Sequence, residues 1–197
     1  AMIMRSGVKI GVIGLSSADT PETTLRKHVA DLRFRDPVET VRELAPKLRK
    51  DGAQVIVLVA HLTGSCEDHH QEAHGEGAEC QPSGEVGRLL TELPKGTIDV
   101  IVAGHAHTIF AQRFGDTFIL ESDCRGQMLG LLDLVVGPDG VNADASVVHK
   151  PWDLTHKKVD PGCEEGSYSL EPQELDGRMV TPSAAALELV RKLEAES

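Results

Sequence analysis

The chain has 197 residues, 40% apolar and 26% charged, a balance that suits a globular domain with a real core and excludes a disordered segment. Its formal charge of −11 excludes a nucleic-acid-binding surface, because phosphate backbones would be repelled. No apolar run approaches the roughly 18 residues of a membrane span, so no membrane-embedded helix is predicted.

Met2 to Val12 carries Arg5 and Lys9 but no uninterrupted apolar region and no cleavage site. It reads as the lead into a strand, not a signal peptide. Val8-Lys-Ile-Gly-Val-Ile-Gly14 is β-rich and ends in glycine, the pattern of a buried strand. A polar loop follows through Ser16, Ser17, Asp19, Thr20 and Pro21. Asp36-Pro37-Val38-Glu39 then starts a helix, with Asp as N-cap, Pro first inside and Glu three residues after the cap. Val38, Val41, Leu44, Ala45 and Leu48 recur at helical spacing, and Gly52 stops the helix. Gln54 to Ala60 is a continuous apolar run, predicted to be a strand covered on both faces.

A polar loop spans His61 to about Ser83, and Glu85 to Leu93 reads as a second helix with Val86, Leu89, Leu90 and Leu93 on one face. Val100 to Ala103 is the third strong strand. Strand, helix, strand, helix, strand is the rhythm of a parallel sheet, so the fold class is α/β. Beyond His107, Phe110–Phe114, Phe118–Glu121 and Leu129–Val136 are shorter runs joined by the turn signals Gly115-Asp116 and Pro138-Asp-Gly140. They are predicted to be antiparallel. Residues 1–150 thus form one domain. Residues 151–197, richer in Pro, Gly and acidic positions, form an extended tail packed on it, closing in a short helix from about Pro182 to Glu196.

His61 directly follows the second strand, and His105 and His107 follow the third. In an open α/β sheet, residues just past the carboxyl ends of neighbouring parallel strands converge on one crevice. Three imidazoles meeting there point to a metal site; the alternative is three histidines hydrogen-bonded at strand ends. Gly104 would free the backbone for the turn that presents His105 and His107. Neutral imidazoles suit Zn²⁺, Mn²⁺ or Fe.

Three stretches carry a resemblance: Gly7–Leu15 (GVKIGVIGL), Val59–Gly64 (VAHLTG) and Asp99–Thr108 (DVIVAGHAHT). They are similar to the calcineurin-like metallophosphoesterases, most closely the bacterial 5′-nucleotidase and 2′,3′-cyclic-nucleotide phosphodiesterase branch. Ser83-Gly-Glu-Val86, and Glu121-Ser-Asp-Cys-Arg-Gly126 running on to Gly130-Leu-Leu-Asp133, match similar stretches of that branch. The likeness covers roughly Gly7 to Val136, the second half of the family's catalytic domain. It implies a partial metallophosphoesterase sandwich and hydrolysis of nucleotides or related phosphate esters. It also implies two divalent ions, His61 and His105 serving one and His107 the other. Ions about 4 Å apart in such a site bind phosphoryl oxygens and activate a bridging hydroxide.

The family also uses an Asp-x-His strand, a Gly-Asp pair and an Asn-His pair, and none is read here in its family setting: the one Gly-Asp, Gly115-Asp116, is a turn signal, and the histidines of the polar loop do not replace Asn-His. No residue of this chain is therefore assigned to catalysis or to an organic cofactor. The chain is expected to be inactive alone, as a truncated product, a shortened piece or half of a split enzyme completed by an N-terminal half. The alternative is a non-catalytic module that forms a homodimer through an exposed sheet. Aromatic residues make up only 3% of the chain, leaving little to stack on a base. Arg125 reads either as a phosphate contact or as a surface arginine paired with an acid. Relatives of this kind are often exported, so the compartment stays open.

Cys66 and Cys80 enclose His69, His70 and His74 in a short acidic loop. The resemblance implies a disulfide closing that loop; zinc binding by these side chains and a plain solvated loop are the alternatives. Cys124 and Cys163 are expected to be unpaired or buried.

Overall fold

The computed structural model describes residues 1–64, 73–74, 82–153, 173–175, 177–181 and 183–196. The chain runs β1 (Met2–Arg5), β2 (Val8–Ser16), α1 (Thr20–Thr23), α2 (Pro37–Lys50), β3 (Val55–Leu62), β4 (Ala73–His74), α3 (Gly84–Glu92) and β5 (Val100–His105). It continues through β6 (Ile109–Phe114), β7 (Thr117–Ser122) and the short strands β8 (Met128–Leu129), β9 (Leu132–Asp133), β10 (Val136–Gly137), β11 (Gly140–Val141), β12 (Val147–Val148) and β13 (Trp152–Asp153). A last hairpin, β14 (Gln173–Leu175) with β15 (Arg178–Val180), precedes α4 (Ala184–Glu196).

Seven strands form the central sheet, in the order β1-β2-β3-β5-β7-β6-β4. β2, β3 and β5 are parallel, as the strand–helix alternation predicts. β6 and β7 are antiparallel to each other, also as predicted, but β7 returns parallel to β5 and separates it from β6. β1 was not anticipated as a strand. It makes a hairpin with β2 through Ser6 and Gly7, both left-handed at φ 48° and 82°, the geometry of a tight strand turn.

α2 forms for the reasons legible in its first turn. The Asp36 carboxylate accepts the Glu39 amide at 3.0 Å, satisfying one of the helix's open donors. That amide, with help from Arg88, holds the Asp36 carboxyl below its ordinary pKa. The helix buries Val38, Val41 and Ala45 against the sheet. Burying a valine is worth roughly 1.5–3 kcal/mol relative to leaving it exposed. Beneath it lies a tight seam. A Cβ on Gly11 would stand 2.9 Å from Ile56 Cδ1 and 3.1 Å from Leu48 Cβ, so α2 sits directly on the β2 backbone.

One face of the sheet packs on α2 and α3 through Ile13, Ile56, Leu58, Leu62, Val86, Leu89, Ile101, Phe110 and Ile119. The opposite face is covered only in part, by a second cluster in which Val100, Phe118 and Leu120 meet Val148, Leu132 and Leu134. The run expected to be one strand over Leu129–Val136 breaks into β8, β9 and β10, and β9 pairs with β12 to make part of this cover. Past it, the expectation that β3 is covered on both faces fails. Val59 is 52% exposed and Val102 beside it 43% exposed, because nothing among the described residues lies over the upper half of that face.

Cys124 is buried, one of the two expected outcomes, and is disulfide-bonded rather than unpaired. Cys66, Cys80, Cys163 and the loop reading between the first two lie outside the described residues. No helix among the described residues is long and apolar enough to cross a membrane.

Candidate metal site at the strand tips

The upper, carboxyl ends of β2, β3 and β5 meet in register. Ser16 pairs with His61, and His61 with Gly104, where a bulge lets Gly104 oppose both His61 and Leu62. The bulge turns the His105 ring back toward its neighbour. His105 Nδ1 and His61 Nε2 come to 2.9 Å, with ring centroids 4.6 Å apart and planes crossed at 76°. The two rings are hydrogen-bonded to each other, the alternative that the sequence left open, so imidazoles from adjacent strands meet nitrogen to nitrogen.

The turn works differently from the sequence expectation. Gly104 has no left-handed φ; the left-handed residues are the histidines themselves, His105 at φ 110° and His107 at φ 54°. Gly104 contributes room instead, since a Cβ there would lie 4.0 Å from His61 Nδ1. Asp123 at φ 56° and Arg125 at φ 54° are also left-handed, in the neighbouring loop after β7. Such conformations cost about 1–3 kcal/mol each in side-chain-bearing residues and collect at functional sites. Four of the five non-glycine examples lie here, among the described residues.

Two carboxylates shape the site, and sequence reasoning gave neither a role. Glu85 ties the loops after β2 and β3 together: Oε1 accepts from the Ser17 hydroxyl at 3.0 Å, and Oε2 from the Thr63 amide at 3.1 Å and hydroxyl at 3.2 Å. The Ser17 amide in turn donates to the His61 carbonyl at 3.0 Å, so this clamp fixes the backbone of His61. Glu121 lies at the end of β7, 1% exposed, on the helix-facing side opposite Phe110. Burial pushes its carboxyl up to about 7; the amides of Thr108, His107 and Ala106 pull the other way. None of those amides reaches full hydrogen-bond geometry, and neither carboxyl oxygen has another partner among the described residues. The available signal for both was a charged residue bordering an apolar run within stretches that already resembled a family pattern.

The residues present fit a metal only in part. Two nitrogens on one tetrahedral ion, each about 2.05 Å from it, would lie about 3.3 Å apart, close to the separation of the His61 and His105 nitrogens. His107 is exposed on the same loop. Among the described residues, however, no group of three His, Cys, Asp or Glu side chains gathers to close a site. The described residues bring two candidate ligands together and no third.

The sequence matches no protein-family model. Its similarities to individual proteins are nevertheless consistent. It is 34% identical over 104 residues to a 5′-nucleotidase of Vibrio cholerae, covering 52% of this chain and 17% of that protein. It is 25% identical over 206 residues to a 2′,3′-cyclic-nucleotide 2′-phosphodiesterase/3′-nucleotidase of Salmonella typhimurium, covering 94% of this chain and 28% of that one. Its fold is similar to the calcineurin-like phosphoesterase YfkN of Bacillus subtilis, with a TM-score of 0.52 and 23% identity over 74% of this chain and 45% of that one. The chain thus spans less than a third of the length of these two relatives.

Proposed function

We propose that this chain, whose homologues are 5′-nucleotidases and a 2′,3′-cyclic-nucleotide phosphodiesterase, supplies half of the site of a metal-dependent phosphoester hydrolase acting on nucleotides or related phosphate esters. The observation that carries this reading is the 2.9 Å approach of His61 Nε2 and His105 Nδ1 at adjacent parallel strand tips. A divalent ion bound there supplies charge stabilisation for phosphoryl oxygens and a hydroxide at neutral pH. This chain's own part is to hold the two nitrogens, with Glu85 fixing the His61 backbone and the bulge at Gly104 turning His105 inward. His107, two residues on, is left for a second ion. A chain of charge −11 repels a phosphate ester, so the metal is also what makes the substrate approachable.

The carboxylates and further histidines such a site needs come from a complementing half that covers the open face. Val59 and His61 alternate along β3 onto that same face, so whatever covers the valine also reaches the histidine. The same exposed pair, Val59 and Val102, supports a second reading in which another copy of this chain covers the face without catalysis. The disulfide at Cys124 suits an oxidising compartment in either case.

A Co²⁺ titration followed by visible absorption tests the proposal. His61→Ala and His105→Ala are each expected to weaken binding at least about tenfold, the loss of one of few ligands. Equal binding by wild type and both variants would overturn it. The chain alone, given Mn²⁺ and a chromogenic phosphodiester, is expected to release no product; robust turnover abolished by His105→Ala would show that no complementing half is needed. A clean monomer by light scattering at high concentration would exclude the second reading.

A further inference from the structure

We propose that the disulfide at Cys124 is a redox latch on the histidine loop: closed, it braces the turn after β7 that holds the loop, and opened by a dithiol it lets His105 and His107 leave the strand tip. Three observations converge on this. Cys124 is disulfide-bonded and only 9% exposed, so the bond sits within the fold rather than on its surface. Its neighbours Asp123 and Arg125 are both left-handed, at φ 56° and 54°, and Gly126 follows at φ 68°. Residues with side chains keep such angles only where their surroundings fix them. The same turn reaches the histidines directly, because the Asp123 amide donates to the Thr108 carbonyl at 2.9 Å, one residue past His107. The Gln127 amide closes the turn from its other side, donating to the Cys124 carbonyl at 3.1 Å.

The partner of Cys124 is one of Cys66, Cys80 and Cys163, the other three cysteines of the chain. Reduction breaks the S–S bond: two electrons and two protons pass from the dithiol, which closes to its own disulfide, and two protein thiols result. With that link gone, Asp123 and Arg125 relax toward ordinary backbone angles and the Asp123 amide withdraws from Thr108. His105 and His107, left-handed themselves, lose the tether beside them. The latch thus makes the nitrogen pair depend on the redox state of the compartment.

The inference rests on the proposed metal reading only for its second measurement, so the two can fail separately. The first uses metal-free protein and amide hydrogen exchange, with and without dithiothreitol. Reduction is expected to speed exchange at the Asp123 and Gln127 amides at least about tenfold beyond any global change. The Asp99 and Phe118 amides, bonded to the Ile56 and Asp99 carbonyls at the amino ends of β5 and β7, give the reference for that global change. Peptide mapping of the oxidised protein names the partner cysteine. A double variant, Cys124→Ala with that partner also replaced by alanine, is expected to match the reduced protein and serves where reduction unfolds the chain. Leu89→Ala, a buried change in α3, destabilises without touching the turn and is expected to leave Asp123 and Gln127 in step with the reference. The second measurement is Co²⁺ affinity, expected to fall about tenfold in the double variant, which carries neither thiol of this bond to take up the ion itself. A disulfide that dithiothreitol leaves closed in the folded protein overturns the proposal, as does exchange at both amides that keeps step with the reference once the bond is open. So does unchanged Co²⁺ affinity in the double variant, or failure of both the reduced protein and that variant to fold, which would make the bond a requirement of folding instead of a latch. If wild type itself takes up no Co²⁺, the metal reading fails and the exchange measurement alone decides the role of the disulfide.

Discussion

At the amino ends of β3 and β5, Asp99 is gripped by Arg49 and by the Ile56 amide, each at 2.6 Å, whereas at their carboxyl ends Glu121 is buried with neither oxygen bonded. The lower end also closes its backbone, with the Thr117 hydroxyl donating to the Ile98 carbonyl at 2.9 Å. The upper end carries left-handed histidines, two exposed valines and a carboxyl pushed up to about 7. Buried polar groups are ordinarily satisfied, so the lower end is built for stability. Strain and unmet bonding potential at the upper end are tolerated where a ligand or partner will use them. On the proposed reading, one sheet separates the task of staying folded from the task of binding.

The largest effect should come from breaking the lower end. Asp99→Ala strands the Ile56 amide and takes the carboxylate from Arg49, which keeps the Gln54 and Gly96 carbonyls; it is expected to cost roughly 3 kcal/mol in urea unfolding while leaving Co²⁺ affinity unchanged. A loss of metal binding in the folded variant would show that the two ends are not independent.

A somewhat smaller effect is expected from pH at the upper end. In the folded chain Glu121 holds its proton up to about pH 7, against an ordinary value of 4.5. Between those values the folded state binds a proton that the unfolded state has released. Its contribution to stability is therefore full below about pH 4.5 and is lost as pH rises through 7, by at most about 3 kcal/mol. Unfolding of the metal-free protein measured across this range should show the decline, and Glu121→Gln should flatten it. A wild-type curve that rises toward pH 8 at this site would mean the carboxylate is satisfied after all.

The smallest effect is expected on the open face. Val59→Thr with Val102→Thr should change stability by no more than about 0.5 kcal/mol, because neither side chain is packed. Sedimentation of the same variant sharpens the comparison, since any self-association through that face should weaken. A cost well above 1 kcal/mol would mean that the face is covered in the free chain.

What could be read from the sequence follows the range of the forces involved. α2 was legible to the residue because the Asp36 cap, Pro37 and the apolar spacing all act within a few positions. The meeting of His61 and His105 was legible because parallel βαβ connectivity leaves few choices for where strand tips lie. The open face was not. Val59 and Val102 look like Val57 and Val100 in sequence, and only distant residues such as Leu132 and Val148 decide which pair is covered. Nor was the turn at the histidines, where the general link between glycine and left-handed backbone pointed to Gly104 while the bulge placed the strain one residue later. β1 carried a readable Ser6-Gly7 signal that was overshadowed by the polar residues around it.

The seam at Gly11 has a consequence for everything above it. Gly11 pairs with Ile56, and five residues further along the same two strands Ser16 pairs with His61. At about 3.3 Å per residue, that is a rigid arm of roughly 17 Å. The close seating of α2 on the Gly11 backbone acts as the fulcrum, and the imidazole of His61 is the load at the far end. A methyl group introduced at the fulcrum would press on Ile56 Cδ1 and Leu48, so the seating of the helix under this arm depends on the absence of a side chain where no chemistry takes place.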